Sequence, residues 1–135
     1  MRSKLLLISG GVALASAVFH ASFWVLFDWA GELPKLSPEN AGIMQMLNIV
    51  CIYGFLFQGF ASFVLARKPG PWSVAEKAIL VFIGGFFLLR AAFGFPLFGW
   101  NLPEAMVVLV CLMVSGASFL ALGASPRPRP AARAR

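Results

Sequence analysis

Four long apolar runs constrain the fold of this chain more than any other feature. They cover about residues 5–27, 42–66, 74–95 and 103–123, and each has the roughly 20 helical residues needed to cross a hydrocarbon core. Only 12% of the residues are charged and 60% are hydrophobic, whereas a soluble domain is roughly a quarter charged. The sequence therefore predicts an all-α integral membrane protein. We expect one domain over residues 1–124, folded as an up-down-up-down four-helix bundle.

The two ends of the chain differ from this apolar body. Residues 125–135 are rich in proline and arginine, and such a composition predicts a disordered, basic cytoplasmic tail. The first run resembles a signal peptide, with Arg2 and Lys4 before it and small residues at 15–17. Its apolar character continues to Phe27, however, beyond the roughly 7–15 residues of a signal core. We therefore expect the first span to be retained.

Local start and stop signals delimit the other three spans. Ser37, followed by proline, is typical of a helix N-cap. Ser73 and Glu76 have the spacing of a capping box, and Asn101 begins a looser version of that motif before the fourth span. The third span is expected to stop at residue 95, before Pro96.

The basic residues predict the orientation. Nine of the eleven basic residues fall on the same side of the expected bilayer, and the exceptions are Lys35 in an outer connector and Arg90 inside the third span. By the positive-inside rule both termini are cytoplasmic, and the acidic connectors face outward from the inner membrane. The net charge of +6 then reflects topology and anionic headgroups, so we expect no nucleic-acid partner. The basic residues assigned to the inner side are Arg2, Lys4, Arg67, Lys68, Lys77, Arg127, Arg129, Arg133 and Arg135.

Most polar side chains inside the spans fall in the outer half of the predicted bilayer. Counting the helical rise from each span centre gives outward depths of about 6 Å for His20, 8 Å for Arg90, 9 Å for Asn48 and 13 Å for Gln45 and Glu104. Asp28 lies further out, and Gln58 is an exception in the inner half. The outer half therefore holds the candidate ligand-binding residues.

Arg90 allows two interpretations. A charge within a membrane span is costly, and such residues often face a ligand or a water-filled cavity, where a guanidinium could bind an anion or a headgroup. Alternatively, Arg90 forms a structural ion pair with Glu104 or Asp28, or extends along its apolar stem toward the interface. The sequence leaves both open.

His20, Asn48 and Gln45 likewise have a packing and a binding interpretation. Polar side chains at these depths commonly hydrogen-bond between membrane helices. A histidine could also act as a proton relay or a ligand, since imidazole titrates near neutral pH. Binding would require these side chains to line an open cavity.

Chemical motifs are otherwise scarce. Cys51 and Cys111 form no CxxC pair, and the single histidine excludes bis-histidine haem ligation. The chain contains no GxSxG, HExxH, Walker or dinucleotide-binding motif. The sequence therefore predicts no metal site and no cofactor, and favours a protein that is not an enzyme.

We expect an outward-facing polar pocket built from His20, Asn48, Arg90 and Glu104. Such a pocket would bind an amphipathic or lipid-like molecule, or the chain would serve as an accessory subunit of a larger membrane complex. One alternative is a small transporter with a path along His20 and Arg90. Four helices enclose little volume, so this path would require a homo-oligomer. A second alternative is an intramembrane enzyme acting on a lipid or quinone.

Overall fold

The protein is all-helical over the part that the structure describes. A computed structural model describes residues 2–69 and 71–124, which contain no β-strand, so the expected disordered tail at 125–135 lies outside the described residues. Four helices are long and apolar enough to cross a membrane. This confirms the predicted all-α class. The long helices are α1 (Arg2–Ala21), α4 (Pro38–Arg67), α5 (Val74–Phe98) and α6 (Leu102–Gly123), and the connector after α1 contains α2 (Phe23–Leu26), α3 (Trp29–Glu32) and a 3₁₀ turn (Leu33–Lys35).

The predicted helix starts are confirmed by side-chain caps. Ser37 Oγ accepts the backbone N–H of Asn40 at 3.3 Å, at the start of α4. Ser73 and Glu76 form a complete capping box at the start of α5. Asn101 Oδ1 accepts a backbone N–H at 2.8 Å at the start of α6. These bonds satisfy N–H groups that have no partner within the first turn of a helix.

The first span is interrupted near its end. The sequence predicts a continuous run to residue 27, but α1 ends at Ala21, and the chain turns at Ser22 before α2. The Ser22 hydroxyl donates to the Phe19 carbonyl oxygen at 2.7 Å. Serine can compete in this way with the regular helical hydrogen bonds, which favours a bend at this position.

The end of α5 also differs from the sequence expectation. The helix continues past Pro96 to Phe98 and ends at Gly99, which has a φ of 77°. A proline near a helix terminus removes a single helical hydrogen bond, whereas the left-handed region at Gly99 ends the helix because glycine adopts it readily.

Packing places α1 between α4 and α6. Helix α5 packs against α6, and α4 and α5 make few contacts with each other. Gly10 and Gly59 allow α1 and α4 to approach closely, because a Cβ on Gly59 would lie 3.3 Å from the Gly10 carbonyl oxygen. The order around the bundle is therefore α4, α1, α6 and α5.

Contacts at the two ends show that α1 and α4 run in opposite directions. At one end Arg2 donates to the Lys68 carbonyl oxygen at 2.7 Å and lies over the ring of the buried Trp72. Trp72 Nε1 in turn donates to the Ala121 carbonyl oxygen of α6 at 3.2 Å. We call this the Trp72 end. At the opposite end, α1 contacts α4 through His20, and we call it the His20 end.

Candidate functional site

His20 and Asn48 form a two-bond contact between α1 and α4. His20 Nδ1 lies 2.8 Å from Asn48 Oδ1, and Asn48 Nδ2 donates to the His20 carbonyl oxygen at 3.0 Å. The Asn48 NH₂ group donates to the His20 carbonyl oxygen, so the Asn48 Oδ1 atom is the one that faces the imidazole. An amide oxygen only accepts hydrogen bonds, and His20 Nδ1 must therefore carry the proton and donate it. In neutral imidazole the lone pair is then on Nε2, which has no hydrogen-bond partner among the described residues.

Aromatic rings surround the imidazole of His20. Phe23 stacks on it with ring centroids 4.5 Å apart, and Phe55 lies tilted at 5.1 Å. The ring of Phe55 also contacts Phe86 and Phe87 of α5, at 5.6 and 5.9 Å. Phe55 therefore fills the space between His20 and α5.

Arg90 and Glu104 form a bidentate ion pair between α5 and α6. Arg90 Nη1 donates to Glu104 Oε1 at 2.6 Å, and Nη2 donates to Oε2 at 3.0 Å. Glu104 is buried, whereas the Arg90 side chain is 34% exposed. The Arg90 guanidinium also lies over the Phe98 ring, 4.8 Å from its centroid. Gly94 makes room for the pair, since a Cβ there would clash with Glu104, Val108 and Arg90.

The two polar pairs lie at a similar level along the bundle. We measure distance along the bundle from an apolar layer near the Trp72 end, which contains Leu6, Leu65, Leu80 and Ala121. From this layer, the helical rise gives about 21 Å to His20 and about 25 Å to Asn48 and Glu104. The Cα of Arg90 comes about 15 Å from the layer, but its guanidinium reaches the level of Gly94, one turn further. All four groups therefore lie toward the His20 end.

The two polar pairs nevertheless lie between different helices of the bundle. His20 and Asn48 lie between α1 and α4, and Arg90 and Glu104 lie between α5 and α6. An apolar core that includes Ala17, Phe55, Phe87, Ala91 and Cys111 is packed among the helices. In the described part of the chain, Arg90 and His20 share no hydrogen bond. The four side chains form two separate pairs, His20 with Asn48 and Arg90 with Glu104.

Gln45 and Asp28 occupy different surroundings. Gln45 is half-buried, and its Nε2 donates to the Ala41 carbonyl oxygen at 3.1 Å; its Oε1 has no partner among the described residues. Asp28 is exposed, with a φ of 45°, immediately before α3. It forms no ion pair within residues 2–69 and 71–124. Glu104, and not Asp28, is therefore the carboxylate that forms an ion pair with Arg90.

Two neighbouring clefts of about 350 and 300 Å³ open beside Gln45. Both have Trp24, Trp29 and Gln45 in their walls, and we call them together the Trp24–Trp29 cleft. Their walls are mostly apolar, with the amides of Gln45 and Asn48 among them. Arg90 and Glu104 do not line either one. The remaining lining residues are Ala21, Ala30, Leu33, Pro34, Leu36, Pro38, Ala41, Ile49 and Ile52.

The connector builds this cleft, which the sequence did not predict. Trp29 is buried and packs edge-to-face with Trp24, with ring centroids 6.0 Å apart. The chain turns between α2 and α3 at Asp28, which has a φ of 45°, and this turn lies between the two tryptophans. Two tryptophans five residues apart were a visible signal, but their contact depends on the geometry of that turn.

No metal site is evident in the described ranges, where no group of three or more histidine, cysteine or carboxylate side chains is suitably placed. No protein-family model, curated protein or solved structure matches this chain.

Proposed function

We propose that this chain is an inner-membrane protein that binds a neutral amphipathic molecule in the Trp24–Trp29 cleft. Its four long helices would cross the bilayer in up-down-up-down order, with both termini in the cytoplasm. The basic residues around the Trp72 end support this orientation through the positive-inside rule. The His20 end and its cleft would then face outward.

The observation that carries the proposal is the composition of the cleft. Ligand sites combine mostly apolar walls with a few placed polar groups, typically within about 300–1,000 Å³. Here Trp24 and Trp29 provide apolar surface, and Gln45 Oε1 is an acceptor without a protein partner among the described residues. Tryptophan also favours the membrane interface, where an acyl chain meets its headgroup.

The polarity of the cleft favours a neutral headgroup. Amides of Gln45 and Asn48 can donate to and accept from hydroxyl, ester or amide groups. Arg90, the residue suited to an anion, is occupied by Glu104 and lies outside the cleft walls. His20 supports the site indirectly, because its two contacts hold the Asn48 side chain in place.

Native mass spectrometry in a mild detergent tests this proposal with monoolein as the probe. We expect the wild-type protein to bind about one monoolein and to retain lipid from the host membrane. Ala41→Phe adds a ring to the wall of the cleft, where Ala41 is half-buried. This substitution should weaken binding by about tenfold or more, which corresponds to about 1.4 kcal/mol.

Ala92→Phe is the matched control. Ala92 is exposed on α5 and lies outside the cleft, so the same added ring should leave monoolein binding unchanged. A wild-type protein that carries no lipid and binds no monoolein would refute the proposal. So would equal losses of binding in Ala41→Phe and Ala92→Phe.

A further inference from the structure

Three polar side chains are buried near the contact between α1 and α4 without hydrogen-bond partners among the described residues. The unpaired atoms are Ser9 Oγ, Ser62 Oγ and both Oε1 and Nε2 of Gln58. The exposed fraction is 1% for Ser9 and Gln58 and 0% for Ser62. Lipid tails offer neither donors nor acceptors, so unpaired polar groups are especially costly inside a membrane protein.

By helical rise Ser9 and Ser62 lie at one level of the bundle, and Gln58 lies about one turn further from the Trp72 end. Ser9 precedes Gly10 and Gln58 precedes Gly59, the two glycines at which α1 and α4 meet. Ser62 is four residues after Gln58 on α4, about 6 Å in helical rise, so the two lie on the same face. Because all three are buried, they point into the protein and away from the surrounding lipid. We call these three buried, unpaired side chains together the Gln58 cluster.

Gly54 presents no side chain to the Gln58 amide. A Cβ added at Gly54, one turn away on α4, would lie 4.0 Å from Gln58 Nε2 and would meet no other atom within 4 Å. On α5, Ile83 lies at the level of Ser62 by helical rise and is apolar and fully buried. Unpaired polar groups that carry no charge favour a small, neutral ligand.

We propose that the Gln58 cluster binds one or two water molecules inside the bundle. Water both donates and accepts hydrogen bonds, so it can satisfy the amide NH₂ and carbonyl of Gln58 as well as the two serine hydroxyls. A buried water typically makes two to four such bonds. A metal cation would bind only the oxygen atoms and would leave Nε2 without a partner. Water is therefore the ligand that matches every unpaired atom.

Nuclear magnetic resonance on the full chain in lipid nanodiscs tests the proposal directly. Rotating-frame Overhauser spectra should show cross-peaks between water and the Gln58 side-chain amide protons. The amide should show no comparable cross-peaks to acyl-chain protons, because it is fully enclosed by protein. Absence of the water cross-peaks from an assigned Gln58 amide would overturn the proposal.

The sign of a stability change provides a second test. Ser62→Ala would remove a hydroxyl that binds water, and we expect the thermal midpoint to fall by about 3–5 °C. In a cluster without water, the same substitution removes an unpaired group and should raise the midpoint. Gln58→Leu should change the midpoint in the same direction as Ser62→Ala. An increase in either variant contradicts the proposal.

Ser118→Ala is the matched control. Ser118 is as buried as Ser62, but its Oγ already donates to the Val114 carbonyl oxygen of its own helix at 2.9 Å. Its substitution should therefore shift the midpoint less than Ser62→Ala does. A midpoint that rises with sodium chloride but not with choline chloride, and loses this dependence in Ser62→Ala, would identify a cation site and refute bound water.

Discussion

The side chains of Arg90 and Glu104 are unequally exposed, and this decides how their ion pair responds to mutation. Glu104 is buried beside Gly94 at the start of α6, where a carboxylate also interacts favourably with the helix dipole. Arg90 retains 34% exposure of its side chain and has a long apolar stem. If Glu104 is removed, Arg90 can extend toward the interface. If Arg90 is removed, the Glu104 carboxylate stays buried without its partner.

We therefore expect Arg90→Met to lower the free energy of unfolding more than Glu104→Gln does. Loss of one partner from a buried pair costs about 3–5 kcal/mol. Solvent near Arg90 should reduce the effect of Arg90→Met to about 2 kcal/mol, and that of Glu104→Gln to about 1 kcal/mol. Chemical unfolding in detergent micelles measures both values.

The exposed Lys35–Glu32 pair is a control for this ranking. Its side chains are 66% and 56% exposed, so Lys35→Met should change the stability by less than about 1 kcal/mol. Arg90→Lys should fall between wild type and Arg90→Met, because lysine cannot make the bidentate contact. A larger loss of stability in Glu104→Gln than in Arg90→Met would contradict this ranking. It would mean that Arg90 cannot extend toward the interface when Glu104 is removed.

At the scale of helices, the close approach of α1 and α4 depends on which glycine faces the partner. A Cβ at Gly10 would lie 3.0 Å from the Phe63 ring and 3.2 Å from the Gly59 carbonyl oxygen. A Cβ at the adjacent Gly11 would meet nothing within 4 Å. The Gly59 carbonyl oxygen belongs to the backbone and cannot move aside as a flexible side chain can. Position 10 therefore has no room for a side chain.

Gly10→Ala should therefore destabilise the protein by about 1–3 kcal/mol, through crowding at the helix contact. Gly11→Ala should be neutral or stabilising by up to about 1 kcal/mol, since alanine favours helix over glycine. Thermal unfolding of both variants in the same nanodiscs provides the comparison. Equal effects at the two positions would mean that the helix contact does not limit the packing of α1.

The helix boundaries show which local features can be predicted from sequence. The starts at Ser37, Ser73 and Asn101 were predictable, because a capping side chain bonds to its own helix within three residues. The interruption at Ser22 was not, since serine is compatible with either a continuous helix or a bend. Pro96 does not end α5, because the helix continues to Phe98 and ends at Gly99.

For the whole molecule, the level of a residue along the bundle was predictable from sequence, but the helix that packs beside it was not. A residue number gives its level because each helical residue rises 1.5 Å, and His20 and the Arg90 guanidinium lie at similar levels. Whether they meet depends on the order of helices around the bundle. That order places α1 between α4 and α6, with Phe55 between His20 and α5. The four polar side chains at this end of the bundle therefore form two separate pairs, and the Trp24–Trp29 cleft lies beside only one of them.

The orientation of the bundle has consequences at the molecular scale that labelling can test. In a background with Cys51 and Cys111 replaced by alanine, single cysteines at Lys35, Arg67 and Trp100 would probe three connectors. The positive-inside rule predicts that a membrane-impermeant maleimide labels Lys35→Cys and Trp100→Cys on intact spheroplasts, and labels Arg67→Cys only after permeabilisation. The cysteine-free background should remain unlabelled.

Labelling of Arg67→Cys alone on intact spheroplasts would invert the orientation and place the Trp24–Trp29 cleft on the cytoplasmic side. Labelling of Lys35→Cys but not Trp100→Cys would contradict the up-down-up-down order itself, because that order requires both connectors on the same side.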